Sequence, residues 1–384
     1  MNELPVGRRV AQWRVRRNMT QQQLADRLGK SKSWVDKVER GVRRLERVSS
    51  LREVADTLRI DLEVLLADRS GHPDPAAVGV EGVRTALARY HVPALARPPD
   101  VAELRARLDH ADQTYRHARY PALLTLLPGL LDATREAQAT RPGRATDGLL
   151  ASVYGLVALV LVKVDQGELA WLAADRGMAA ALATNDPQVA AVATVPLSQA
   201  LRSSGRPRSA LEAAVAAARR ITPARPGPPA DPSLLGTLLL QAALAAAGQG
   251  EEGGVQGLLD RAMEVVGADG NGVGRAAVEA ARVVAEVALG EVTAATVRHE
   301  RLIAGDEWRW LPTEHRAAYL LDAARAYALA GDMVRAGRAL LEAERTARSE
   351  VHDRPAVRDL VAAVARSAAA PAGLARLAAT LHVT

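Results

Sequence analysis

Between residues 7 and 68 apolar positions return every three or four residues in short bursts, each bounded by a glycine or a polar cap. No alternating strand pattern appears. Leu51, Val54, Ala55 and Leu58, for example, share one helix face at i, i+3, i+4, i+7 spacing. The pattern predicts five short helices. The first is Gly7–Asn18. Thr20 caps the second, Gln21–Leu28, with Gln23 at the N3 position of a capping box, and Gly29 ends it. Ser31 opens the third and Gly41 closes it. Ser49 and Ser50 precede the fourth, Leu51–Leu58, and Asp61 caps a last turn, Leu62–Ala67. RSGHPDPAAVG (69–79) reads as a linker, followed by a helix over Val80–His91 and a second breaker, VPALARPPD (92–100).

From about residue 101 the chain becomes Ala/Leu-rich helices in pairs. Glycines between them recur at Gly167, Gly205, Gly248, Gly290 and Gly331, at intervals of 38, 43, 42 and 41 residues. A period of that size predicts a solenoid of helical hairpins. The unit at 314–347 resembles a tetratricopeptide (TPR) repeat. Leu320, Ala324 and Tyr327 fill its first-helix positions, and Ala336, Leu340 and Ala343 those of its second helix. Residues 191–223 fit in part, through Leu197, Ala210 and Ala217, and the other units are degenerate. A Pro-rich insertion, TPARPGPPADPS (222–233), is expected to break the stack as a surface loop. The apolar run LLASVYGLVALVLV (149–162) stops at Lys163 and Asp165, too short to span a bilayer, and reads as a buried core helix.

Composition narrows the function. The chain has 384 residues and no cysteine, which excludes disulfides, thiolate catalysis and Cys-based zinc sites and points to the cytoplasm. The N-terminus lacks the apolar core of a secretory signal. Phenylalanine is absent and aromatics make up 3%. The net charge of +6 lies wholly in residues 1–70, with 16 Lys+Arg against 10 Asp+Glu, while the remaining 314 residues balance at 34 against 34. Positive charge gathered in one small region is the footprint of a polyanion-binding surface. Enzymatic readings find no support. His299-Glu300 lacks the second histidine of an HExxH metal site, and GNGVG (270–274) follows no strand. No catalytic residue, metal site or cofactor is expected.

On a helical wheel of SKSWVDKVERG (31–41), Val35, Val38 and Trp34 fall on one side and Lys32, Ser33, Asp36, Lys37 and Arg40 on the other. The preceding helix offers Leu24, Ala25 and Leu28 as its inner face, and only Gly29, Lys30 and Ser31 separate the two. Two short helices joined by a tight glycine turn, the second with an exposed basic face, make a helix-turn-helix. TQQQLADRLGKSKSWVDKVERG (20–41) resembles the Cro and lambda-repressor type, the XRE family. Its pattern is filled by Thr20, Gln21, Leu24, Ala25, Gly29, Ser31, Val35, Val38, Glu39 and Gly41.

The resemblance implies roles. Gln21 matches a phosphate-anchoring glutamine, and Lys32, Ser33 and Lys37 match base-edge positions in the major groove. Lysine suits guanine O6 and N7. Arg43, Arg44 and Arg47 match a basic loop that meets the DNA backbone or reaches toward the minor groove. Two roles are open to Trp34, packing against Val38 and donating its indole N–H to DNA. Arg14 and Glu39 match a buried ion pair between the first and third helices. Family members bind as dimers on half-sites about one DNA turn, roughly 34 Å, apart.

The expected molecule is all-α. It has a five-helix, lambda-repressor-like DNA-binding domain (1–68), a linker with one helix (69–100), and a TPR-like domain (101–384). The function expected is a cytoplasmic, homodimeric regulator of transcription that binds double-stranded DNA, away from any membrane. Its TPR-like domain senses a small molecule or peptide, or mediates dimerisation. The alternative is a scaffold whose repeats recruit a partner protein to DNA. Receptors of this build grip a peptide backbone with asparagines, yet residues 101–384 hold only Asn185 and Asn271. In DEWRWLPTEHRAAY (306–319), Trp308 and Trp310 bracket Arg309 before a helix, as a ligand lid or as an anchor of the inter-repeat turn. Tyr319, Arg325 and Arg282 are further candidate groove residues.

Overall fold

The computed structural model describes residues 6–17, 19–43, 45, 48–58, 60, 75–90, 100–222, 231–268 and 272–383. The expected short helix over 62–67 and the candidate residues Arg44 and Arg47 lie outside these. Every regular element among the described residues is helical. The chain divides into two compact units at Ala77/Val78.

The first unit holds α1 (Val6–Arg16), α2 (Gln21–Arg27), α3 (Lys32–Glu39) and α4 (Val48–Leu58). Val10, Leu24, Leu28, Val35, Val54 and Leu58 form its core, and Trp13 and Trp34 pack onto the margin. The predicted capping box is present. The Thr20 hydroxyl accepts from the Gln23 amide at 3.1 Å, and the Gln23 side chain accepts from the Thr20 amide at 2.8 Å. Helix α4 starts a turn earlier than expected, so Ser49 and Ser50 lie within it. The apolar period explains this, since Val48 stands three residues before Leu51.

The helix expected within 69–100 runs Pro75–Ala88 (α5), and its residues from Val78 onward belong to the second unit. Val83, Ala86 and Leu87 bury one face of it. Arg135 donates from Nη1 to the carbonyls of Ala86 (2.7 Å) and Arg89 (3.1 Å), and Arg89 pairs with Asp132. Six hairpins follow: α6 (Val101–Arg116) with α7 (Tyr120–Thr140), α8 (Arg144–Lys163) with α9 (Gly167–Ala183), and α10 (Pro187–Ser203) with α11 (Pro207–Ile221). Then come α12 (Pro232–Ala247) with α13 (Glu252–Ala268), α14 (Gly272–Leu289) with α15 (Val292–Ala304), and α16 (Thr313–Leu329) with α17 (Met333–Thr346). Three short helices close the unit: α18 (Arg348–His352), α19 (Pro355–Ala365) and α20 (Ala372–Thr380).

The TPR-like positions behave as read: Leu320, Ala324, Tyr327, Ala336, Leu340 and Ala343 are all core. One turn glycine was misplaced: Gly167 opens α9, and the left-handed residue after α8 is Asp165 (φ 55°). Gly248 lies between α12 and α13 as read, with Gly250 (φ 77°) the left-handed residue of that turn. Gly167 instead admits a close approach, because a Cβ there would lie 2.9 Å from the Ser203 carbonyl oxygen. The Pro-rich insertion does not interrupt the stack, since α11 and α12 pack directly against each other and residues 223–230 between them lie outside those described. Helix α8 is long and apolar enough, by length and composition alone, to cross a membrane. It packs against α7, α9 and α10, and most of it is buried as core.

The first helices of successive hairpins touch in order from α6 to α16, and α16 returns to pack against α6. At that closure sits Lys163, the one lysine of the sequence beyond residue 37. Its ammonium lies 2.8 Å from Glu350 Oε1 and also pairs with Glu314. Glu350 is fully enclosed, accepts from the Tyr120 hydroxyl, and pairs with Arg354 at 2.6 Å. The Ala356 amide donates to Asp165 at 2.8 Å. Charges taken out of water this way hold only when paired and hydrogen-bonded. The cluster therefore ties the start of the repeat unit to its end.

Candidate nucleic-acid interface

Helix α3 is positioned from behind. Ser31 caps it, its hydroxyl accepting from the Trp34 amide at 3.1 Å, and Gly29 makes the turn from α2 at φ 60°. Val35 and Val38 are about 1% exposed, which fixes the buried face. Helix α1 crosses α3 so closely at Gly7 that a Cβ there would lie 1.8 Å from the Val38 carbonyl oxygen. Arg14 grips Glu39 with both ends of its guanidinium, Nε to Oε1 at 2.6 Å and Nη2 to Oε2 at 3.0 Å, and donates to the Met19 carbonyl at 2.7 Å. Helix α3 is thus tied to α1 by a bidentate pair.

The opposite face of α3 carries Lys32, Ser33, Lys37 and Arg40, all exposed. Asp36 pairs with Arg40 one turn on at 3.4 Å. Arg43 is exposed just beyond Gly41. Trp34 is half-buried against the core, which accounts for its bulk by packing. Gln21 departs from the simplest expectation, because its side-chain amide donates to Glu39 Oε2 at 2.8 Å. It therefore extends the Arg14–Glu39 tie to the start of α2. Gly7 was missed in the sequence, since a glycine at a helix start carries no periodic signal.

The candidate groove residues do not converge. Tyr319 is 2% exposed, hydrogen-bonded to His299 Nδ1 at 2.9 Å, with Trp308 packed edge-on against its ring. It is core, placed there by the apolar face of α16, and cannot line an open groove. Trp308 packs onto two core clusters and so anchors the turn, while Trp310 is 60% exposed. Arg282 is spent on Asp260 (2.6 Å) and Gln256 (3.1 Å), and Arg325 on Asp322 (2.5 Å). Two depressions do lie among the first helices. One, of about 400 Å³, is walled by Leu108, Leu159, Val192, Pro196 and Leu234 with Asp109 at its side. The other, of about 470 Å³, lies around Arg202.

Residues 5–67 match the family model for a helix-turn-helix domain. No curated protein matches the chain. Among solved structures it is similar to Bacillus thuringiensis PlcR in complex with the peptide PapR7 and DNA, at 14% identity and a TM-score of 0.37, over 78% of this chain and 95% of that one. Aspartyl phosphate phosphatase F from Bacillus subtilis is similar at 13% identity and a TM-score of 0.43, over 90% of this chain and 94% of that one. ComR from S. thermophilus, in complex with DNA and its signalling peptide ComS, is similar at 14% identity and a TM-score of 0.31, over 86% and 99%. The chain carries an N-terminal helix-turn-helix domain, followed by an all-helical repeat domain.

Proposed function

We propose that the protein is a sequence-specific, dimeric regulator of transcription of the Cro and lambda-repressor type, acting in the cytoplasm, whose repeat domain senses an effector. The observation that carries this reading is the outer face of α3. Lys32, Ser33 and Lys37 stand exposed on a helix held by Gly7, Arg14 and Glu39. A rigid helix with short polar and basic side chains on one face suits base-edge readout in the major groove. Gln21, Arg43, Arg44 and Arg47 would add backbone contacts.

Selection of genomic fragments by the full-length protein tests this reading. Recovered fragments should share two related half-sites about 34 Å apart. Recovery of no sequence above bulk DNA would overturn it.

A further inference from the structure

We propose that the pocket around Arg202 binds a small molecule through an oxyanion, a carboxylate or phosphate, seated on the Arg202 guanidinium. The pocket holds about 470 Å³ between α10, α12 and α14, and its other walls are apolar: Pro207, Leu244, Ala247, Val284 and Ala288. Arg202 is the one charged side chain that lines it. A guanidinium offers five donors. Among the described residues, the hydrogen-bond partner of Arg202 is Gln241 Oε1 at 3.1 Å, a neutral amide, and its Nε is enclosed without a partner. The acid that acts on it electrostatically is Asp322, whose carboxylate is engaged by Arg325 at 2.5 Å. Burial accordingly lowers the Arg202 pKa, against the pull of Asp322. One turn earlier on the same face of α10, the enclosed Ser198 hydroxyl also has no partner.

A largely buried cation whose one hydrogen-bond partner is neutral is costly to keep. Lys163, by contrast, is matched by two carboxylates and Arg354 by Glu350. An anion entering the pocket would supply the missing acceptor in bidentate form, and its apolar body would cover Leu244 and Val284. The proposal deepens the sensing reading, on which its regulatory meaning rests. It is tested without DNA, so its failure leaves the DNA reading standing.

Calorimetry on the full-length protein at constant ionic strength should show saturable binding of hexanoate or of inorganic phosphate, and the two arms distinguish carboxylate from phosphate. Neutral hexanamide should not bind. Phosphate also meets the basic first unit, so the readout is the component removed by R202M, expected to weaken at least about tenfold. R202M should melt no lower than wild type in the absence of anion, because it removes an uncompensated charge. A288W keeps the charge but fills the pocket, and should lose the same component even if R202M does not fold. Absence of saturable binding by either anion, equal binding of hexanamide, or anion binding retained in A288W would overturn the proposal. So would a large drop in melting temperature for a folded R202M, since it would show the guanidinium already satisfied within the protein.

Discussion

At the scale of single residues, Glu39 is the side chain on which the first unit depends. It is 5% exposed and receives three donors, two from Arg14 and one from Gln21. Glu39→Ala would leave Arg14 half-buried without its counter-charge, at a cost of about 3–5 kcal/mol. Thermal unfolding followed by limited proteolysis should show the first unit opening early while the second keeps its transition; an unchanged first transition would contradict this role. His299 is the counterpart in the second unit. Burial lowers its pKa to about 4. The folded state therefore resists protonation, and stability present above the ordinary value near 6.5 falls as pH drops toward 4, by about 3 kcal/mol. Urea titrations at pH 7.5 and 4.5 should show that loss, and His299→Gln should flatten it. The Arg14–Glu39 pair was legible only through the family resemblance, which matches both positions. His299 with Tyr319 was not, because a scarce aromatic before the fold is known looks equally like a ligand contact.

At the scale of elements, caps and periods carried the prediction. Thr20, Gln23, Ser31 and Gly29 bound α2 and α3 as read, because each signal acts within four residues of the helix end it controls. What escaped depends on distant neighbours. Gly7 sits where α1 meets the Val38 carbonyl, and α5, expected as a helix but counted with the linker, is covered by α7 residues, Leu124 and Arg135, that lie some 45 positions away. Gly7→Ala measures the first of these contacts. Helix propensity alone would favour alanine by about 1 kcal/mol. A methyl 1.8 Å from a backbone oxygen reverses the sign, since α1 must move off α3. The expected result is net destabilisation of about 1–3 kcal/mol, with DNA affinity reduced on every sequence alike. A gain in stability would show that the two helices do not meet this closely.

At the scale of the whole molecule, the sequence showed a basic unit of about 70 residues and a neutral array of hairpins, but not that the array closes on itself. Lys163 and Glu350 are 187 positions apart, and no period in the chain links them. Burial alone would raise the Glu350 pKa; Lys163 and Arg354 together hold it below the usual carboxylate value. The closure thus contributes stability above about pH 4 and loses it as pH falls through that lowered value. Lys163→Met should destabilise the repeat unit by about 3–5 kcal/mol in urea unfolding, and adding Glu350→Gln should recover part of it; a cost under about 1 kcal/mol would place the pair outside the folded core. The proposed DNA reading rests on charge confined to the first unit and on Lys32 and Lys37 facing outward. The most direct measurement is affinity for a selected operator across salt concentrations, for wild type and Lys37→Ala. Wild-type affinity should fall steeply with salt, each phosphate contact adding about −0.9 to the log–log slope, while Lys37→Ala should cost about 1–3 kcal/mol on the operator and little on unrelated DNA. Affinity insensitive to salt, or an equal loss on both DNAs, would contradict the assignment of α3 as the reading helix.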